Sequence, residues 1–173
     1  ALRNALIFSV GIAFISSLIG FIFSREILMF SGANSDYINE AMIYFNIVLV
    51  GNFFYLISLT ITAAQRGVGN TKISLVTNLS ANIVNIIFNY LLINGIWIFP
   101  RWGVAGAAVA TSMGNIVSLI LAVYNVSNKN NFLHINFKQD WSLDQKTLVS
   151  IWKISSSSLI EQVFIRIEFM MYS

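Results

Sequence analysis

The chain has 173 residues, of which 57% are hydrophobic and only 10% are charged. This number of charged residues is too small to cover the surface of a water-soluble domain of this length. The composition therefore excludes a water-soluble domain and indicates a membrane protein. The sequence contains no cysteine, which excludes disulfides and thiolate metal sites, and the single histidine, His134, cannot form a metal cluster by itself.

Charge-free stretches along the chain predict helices that cross a membrane. Each has at least the roughly 20 residues that a helix needs to cross the hydrocarbon, and none alternates as a barrel strand would. The predicted spans are 4–24, 41–65, 73–97 and 103–126. The first is expected to be a true span, because no signal-peptide cleavage site follows it. A fifth stretch, 147–173, is long enough but carries charged residues, so the predicted fold class is all-α integral membrane with five transmembrane helices.

The basic residues predict the orientation of these helices. Six of them fall on one side of the predicted spans: Arg3, Arg66, Lys72, Lys129, Lys138 and Lys146. Only Arg25 and Arg101 fall on the other side. By the positive-inside rule, residue 1 and the loop 128–146 are expected in the cytoplasm, with the spans in the inner (plasma) membrane. The loop is long and polar, which is typical of a linker between two units, and its three scattered lysines are a poor match to a nucleic-acid site.

Asparagines form a stripe along the third span. Asn78, Asn82, Asn85 and Asn89 lie at offsets of 0, 4, 7 and 11 residues, so on a helix they fall within about 60° of one another. An amide that faces lipid tails has no hydrogen-bond partner, so the stripe is expected to face other helices or a wet cavity. Interhelical hydrogen bonds alone explain one asparagine, whereas four in register favour a polar pathway or pocket.

Small and polar residues also share faces of the second and fourth spans. On the second span this face consists of Tyr44, Gly51, Tyr55, Ser58, Thr62 and Gln65. The sequence leaves open whether this face packs closely against another helix or lines a cavity. In the fourth span, ladders through Gly103 and Gly106 predict close helix packing. Thr111 continues the Gly103 face and is a candidate cavity residue.

The fifth span carries the strongest candidate for ion coupling. Glu161 would lie about 20 Å into that helix, past the middle of the membrane. A carboxylate is costly to bury there unless it has a partner or a role, and the exchange of H⁺ or Na⁺ is such a role. Arg166 and Glu168 would lie nearer the outer interface, where they can pair.

Other kinds of site are not favoured. The segment 67–72 contains glycines and a lysine but lacks the spacing of a phosphate-binding loop, and it fits a short turn between two spans. The sequence has no Ser/His/Asp set and no metal-ligand cluster, so an enzyme is not expected. No cofactor is expected apart from the coupling ion, and no metal site apart from Na⁺ at Glu161.

Three blocks of sequence together resemble the multidrug and toxic compound extrusion (MATE) transporters. They are AAQRGVGNTK at 63–72, NIVNIIFNYLLING at 82–95 and GVAGAAVAT at 103–111, and the segment from 161 onward looks like the start of that family's seventh helix. The resemblance implies a twelve-helix antiporter with two six-helix lobes. Residues 1–127 would belong to the N-terminal lobe as helices three to six, 128–146 would be the inter-lobe loop, and 147–173 would be helix seven.

The resemblance also implies a function and roles for particular residues. Family members expel cationic, amphipathic drugs in exchange for Na⁺ or H⁺. Glu161 matches the helix-seven carboxylate that contributes to cation coupling, and Asn85, Asn89 and Thr111 match a polar cluster of the first lobe. Two positions depart from the family pattern: Ser157 stands where a proline is common, and Glu168 where a small residue is commoner.

The leading hypothesis is therefore an antiporter for small drug-like molecules, which works in the bilayer together with the remainder of its own chain. This segment alone should be inactive, because half of the cavity would be absent. A lipid-linked oligosaccharide flippase of the same superfamily is one alternative, although its substrate would call for more cationic residues in the spans. A structural membrane subunit without transport is the other, and it would use the asparagines only for packing.

Overall fold

The computed structural model describes residues 2–32, 36–96 and 100–128, together with 131, 133 and 149. Its elements are α1 (Leu2–Ile22), α2 (Ser24–Phe30), α3 (Ile38–Gly67), α4 (Thr71–Asn94) and α5 (Gly103–Ser127). All except α2 are long and apolar enough to span a membrane, and the described residues contain no strand. The predicted all-α membrane fold is thus confirmed. The fifth predicted span, apart from residue 149, lies outside the described residues.

The first predicted span, 4–24, corresponds to α1, and the helix is interrupted at Phe23. Helix α1 ends at Ile22, and α2 follows after a single residue with φ −105° and ψ 22°. The amide of Phe23 still donates to the Ile19 carbonyl, and its carbonyl accepts from Ile27, both at 2.9 Å. The interruption therefore loses little hydrogen bonding. The sequence missed α2 because Arg25 and Glu26 end the apolar run.

The third predicted span, 73–97, corresponds to α4, which ends at Asn94. Gly95 adopts the left-handed conformation with φ 67° and ψ 55°, and its amide donates to the Leu91 carbonyl at 3.0 Å. Glycine reaches this conformation without steric cost and commonly ends helices in this way. Hydropathy missed the end because apolar residues continue beyond it.

Helix α5 is the centre of the packing: it packs against both α3 and α4, and α1 packs against α3. On the α4 side, Gly106 faces the Leu92 backbone and Gly114 faces the carbonyl of Ala81. A Cβ atom at either glycine would lie 2.8–2.9 Å from a carbonyl oxygen of α4. The close packing predicted for the small residues of the fourth span is confirmed at these two positions.

An apolar core marks one end of the bundle. It joins Leu6 near the start of α1, Ile61 near the end of α3, and Ala122 and Val126 near the end of α5. These helix ends therefore meet at one side of the predicted membrane, which agrees with the predicted grouping of Arg3, Arg66 and Lys72. That this end faces the cytoplasm stays a prediction.

Candidate functional site

The asparagine stripe divides into a covered part and an open part. Asn85 and Asn89 are half-buried beside α5, whereas Asn78 and Asn82 are exposed. All four share one face of α4, but α5 covers only an edge of that face. The described residues therefore bring together two of the four predicted asparagines, and they join this pair to Thr111, the candidate on the fourth span.

A chain of hydrogen bonds links these three side chains. Asn89 Nδ2 donates to Asn85 Oδ1 at 2.9 Å, and Asn85 Nδ2 donates to Thr111 Oγ1 at 3.2 Å. The Thr111 hydroxyl donates in turn to the Ala107 carbonyl at 3.0 Å. We call Asn85, Asn89 and Thr111 the amide cluster. It joins α4 to α5 through polar side chains.

The direction of this chain follows from Thr111. Its only hydroxyl proton goes to the Ala107 carbonyl, so its oxygen can only accept from the neighbouring amide. Asn85 must then turn its nitrogen toward Thr111 and its oxygen toward Asn89. Asn89 uses its nitrogen in that bond, and its Oδ1 is buried without a hydrogen-bond partner among the residues that the structure describes. The amide cluster thus ends in a free acceptor.

Gly114 brings the two helices close enough for this contact. A Cβ atom there would lie 2.9 Å from the Ala81 carbonyl and 3.3 Å from the Asn85 Cβ. Any side chain at this position would push α4 away and stretch the bond from Asn85 to Thr111. The sequence pattern of small residues indicated the contact, but it did not indicate which polar residues the contact would join.

The residues that share one face of the second span fall into a buried group and an exposed group. Four of its residues are buried in the packing of α3: Gly51, Ser58, Thr62 and Gln65. Tyr44 and Tyr55 are exposed instead. The question that the sequence left open is therefore decided in favour of close packing for the first four. Sequence reasoning missed Ser74 and Thr77, which are buried on α4; their periodic spacing with Ala81 was the available signal.

The predicted ion-coupling residue lies outside the described residues, as do Arg166 and Glu168. In the ranges that the structure does describe, no three His, Cys, Asp or Glu side chains come together as they would to hold a metal ion. Glu161 as a cation-coupling residue therefore stays a prediction.

Comparison with known proteins identifies the family. The family model MatE matches residues 1–91, which is just over half of the chain. The chain belongs to the MATE family. The matched region covers α1 to α3 and most of α4, including both asparagines of the amide cluster. The resemblance drawn from the sequence blocks is thereby confirmed.

Similar proteins include named transporters of this kind. The chain is 28% identical over 159 residues to the uncharacterized transporter YisQ of Bacillus subtilis, covering 90% of this chain and 35% of that protein. It is 29% identical over 104 residues to the probable multidrug resistance protein NorM of Thermotoga maritima, and the match covers 60% of this chain and 22% of that protein. It is 32% identical over 120 residues to an FAD transporter of Shewanella oneidensis, and the match covers 68% of this chain and 26% of that protein. The chain thus spans about a third or less of these relatives' length, and no solved structure matches it.

Proposed function

We propose that this MATE chain is part of a secondary active antiporter that exports cationic or amphipathic compounds in exchange for Na⁺ or H⁺. The observation that carries the proposal is the amide cluster, which ends in the unpartnered oxygen of Asn89 within membrane-spanning helices. In this proposal, the loop 128–146 of the chain faces the cytoplasm and connects the two lobes of the transporter. Glu161 binds the coupling ion.

The chemistry of the free atom favours a particular class of substrate. A carbonyl oxygen accepts hydrogen bonds, so Asn89 Oδ1 can bind an ammonium or another N–H donor but not a phosphate oxygen. Hydrogen bonds to charged groups are also the stronger ones, particularly away from water. A cationic amphiphile can therefore place its donor on Asn89 and its apolar part against the surrounding helices.

An anionic substrate is the second candidate, because one relative is an FAD transporter. FAD carries a pyrophosphate, as does a lipid-linked sugar, and proteins bind such groups with arginine, lysine or backbone amides. The four predicted spans 4–24, 41–65, 73–97 and 103–126 contain no lysine or arginine. Within this part of the transporter, the candidate side chains therefore suit a cation better than a dinucleotide.

Asn89→Ala in the full-length transporter tests the proposal. Loss of one hydrogen bond to a charged group, worth about 1.5–3 kcal/mol, should weaken the apparent affinity for a cationic substrate by about 10- to 100-fold. The measurement is the concentration dependence of ion-driven efflux from vesicles, with the protein amount determined separately.

Asn94→Ala is the matched control, because Asn94 lies on the same helix outside the stripe and its amide donates to the Tyr90 carbonyl at 2.9 Å. It should leave the apparent affinity for the cationic substrate nearly unchanged. Normal efflux by the Asn89 variant would instead support the structural role, in which the asparagines only pack. An affinity loss confined to FAD would support the anionic substrate.

A further inference from the structure

A second group of buried polar side chains lies where α3, α4 and α5 meet, away from the amide cluster. We call it the polar junction, and none of its members is more than 4% exposed: Ser58, Thr62, Gln65, Ser74, Thr77 and Ser118. The hydroxyls of Ser58 and Ser118 are hydrogen-bonded at 2.6 Å, which joins α3 to α5. Arg66 Nη1 donates to Ser74 Oγ at 2.7 Å, which joins α3 to α4.

The register of the helices places Gln65 and Thr77 at two levels of this junction. Gln65 follows Ser58 by two helical turns on the same face of α3 and adjoins Arg66. Thr77 lies one turn from Ala81, which contacts Gly114, and Ser118 lies one turn from Gly114 in the antiparallel α5. Along the helix axis, Thr77 therefore lies at the same height as Ser118, which is hydrogen-bonded to Ser58.

Gln65 and Thr77 are the members whose polar atoms have no partner. Both side chains are 0% exposed, and neither Gln65 Oε1, Gln65 Nε2 nor Thr77 Oγ1 makes a hydrogen bond. The Thr62 hydroxyl, in contrast, donates to the Ser58 carbonyl at 3.0 Å. Gln65 does not cap its helix either, because its backbone carbonyl already accepts from the Asn70 amide at 2.8 Å. An amide in such a place is costly unless something else binds it.

We propose that ordered water occupies the polar junction and is bound by the Gln65 amide and the Thr77 hydroxyl. The unpartnered atoms include both a donor and an acceptor on one amide, and water can satisfy both kinds. A bound cation would leave Gln65 Nε2 without an acceptor, and lipid tails offer neither group. Buried water in proteins typically makes about three hydrogen bonds to polar groups of this kind.

Most other members of the polar junction have short side chains. Ser58, Ser74 and Ser118 are small, and Ala122 follows Ser118 by one turn of α5. Water held there would join three helices through polar contacts that lipid cannot replace. Helices α3, α4 and α5 would consequently move as one body during transport, whatever the substrate.

Two near-isosteric substitutions in the full-length transporter test this site: Gln65→Met and Thr77→Val. If water binds both side chains, each variant should lower the apparent melting temperature by a few degrees. Thr60→Val is the matched control, because the Thr60 hydroxyl donates only to the Leu56 carbonyl of its own helix. A rise in melting temperature for either variant would overturn the proposal, because removal of polar atoms that truly lack partners should stabilise the protein.

A direct observation distinguishes water from other partners. A cryo-electron microscopy map of the full-length transporter, at a resolution that shows ordered solvent, should contain density within hydrogen-bond distance of Gln65 and Thr77. A direct bond between these two side chains, or a residue from elsewhere in the transporter at that position, would refute the proposal. This readout does not depend on whether any variant folds.

Discussion

At the scale of single residues, the contact between α3 and α5 depends on a glycine and a serine. The hydroxyl of Ser112 donates to the Ile47 carbonyl at 3.0 Å, one turn before Gly51. A Cβ atom at Gly51 would lie 2.5 Å from the Ser112 Oγ and 2.8 Å from its Cα. Because lipid provides no hydrophobic force between helices, close approach and hydrogen bonds of this kind carry the association.

We expect Gly51→Ala to destabilise the full-length protein by about 1–3 kcal/mol, the usual cost of overpacking. The Ser112 backbone would have to move, which would also break the bond to Ile47. Gly11→Ala is the control, because a Cβ at Gly11 meets nothing within 4 Å and alanine favours a helix. Thermal unfolding in detergent measures both variants. Equal melting temperatures would show that the contact is looser than described.

At the scale of helices, the turn after α4 positions the start of α5. Gly95 adopts φ 67°, and a Cβ there would lie 2.7 Å from the Arg101 Cβ and 2.8 Å from its amide nitrogen. The amide of Trp102 also donates to the Leu92 carbonyl at 3.0 Å. The chain therefore returns directly onto the end of α4, which brings Gly106 against Leu92.

Gly95→Ala should consequently be more harmful than Gly69→Ala. Both glycines have positive φ, so each alanine adds left-handed strain of about 1–2 kcal/mol. Only the change at Gly95 also forces a contact with the Arg101 backbone, since a Cβ at Gly69 meets nothing within 4 Å. We expect faster hydrogen exchange at the end of α4 and the start of α5 in the Gly95 variant alone. Similar exchange in both variants would argue that strain dominates and the contact is minor.

At the scale of the whole molecule, the proposed transport site would need more than the amide cluster. The chain covers about a third of the length of YisQ, so in this proposal other helices would supply the rest of the cavity. Coupling in such a transporter requires that ion binding favours one state of the protein over another. The proposed contribution of this chain to that step is Glu161.

Glu161→Gln should abolish ion-driven efflux by the full-length transporter, since an amide can neither release a proton nor neutralise Na⁺. Binding of the cationic substrate should persist, because the amide cluster is unchanged. Efflux under an imposed ion gradient and equilibrium binding are the two measurements. Glu40→Gln is the control, since it removes a carboxylate from the exposed start of α3. Undiminished ion-driven efflux in the Glu161 variant would exclude this residue from coupling.

Much of the fold could be predicted from the sequence, because a membrane span requires a long run of side chains that tolerate lipid. Hydropathy located the four long helices, and the basic residues indicated which helix ends lie together. The helix ends differ from the predicted span ends where backbone geometry, and not hydropathy, ends a helix. Phe23 breaks a helix inside an apolar run, and Gly95 ends one before its apolar run is over.

The candidate site was predicted only in part. Helical periodicity placed the asparagines on one face of α4 because that relation depends on a single helix. Which of them are covered depends on where α5 lies, and the approach at Gly106 and Gly114 sets that position. Only the tertiary structure therefore distinguishes the half-buried Asn85 and Asn89 from the exposed Asn78 and Asn82. It also shows that Asn85 donates to Thr111, and that the Asn89 Oδ1 has no hydrogen-bond partner among the described residues. The sequence by itself determined that these helices lie in a membrane, because that depends on the composition of each helix. Contacts between distant segments decided which polar side chains are hydrogen-bonded to one another within the described residues.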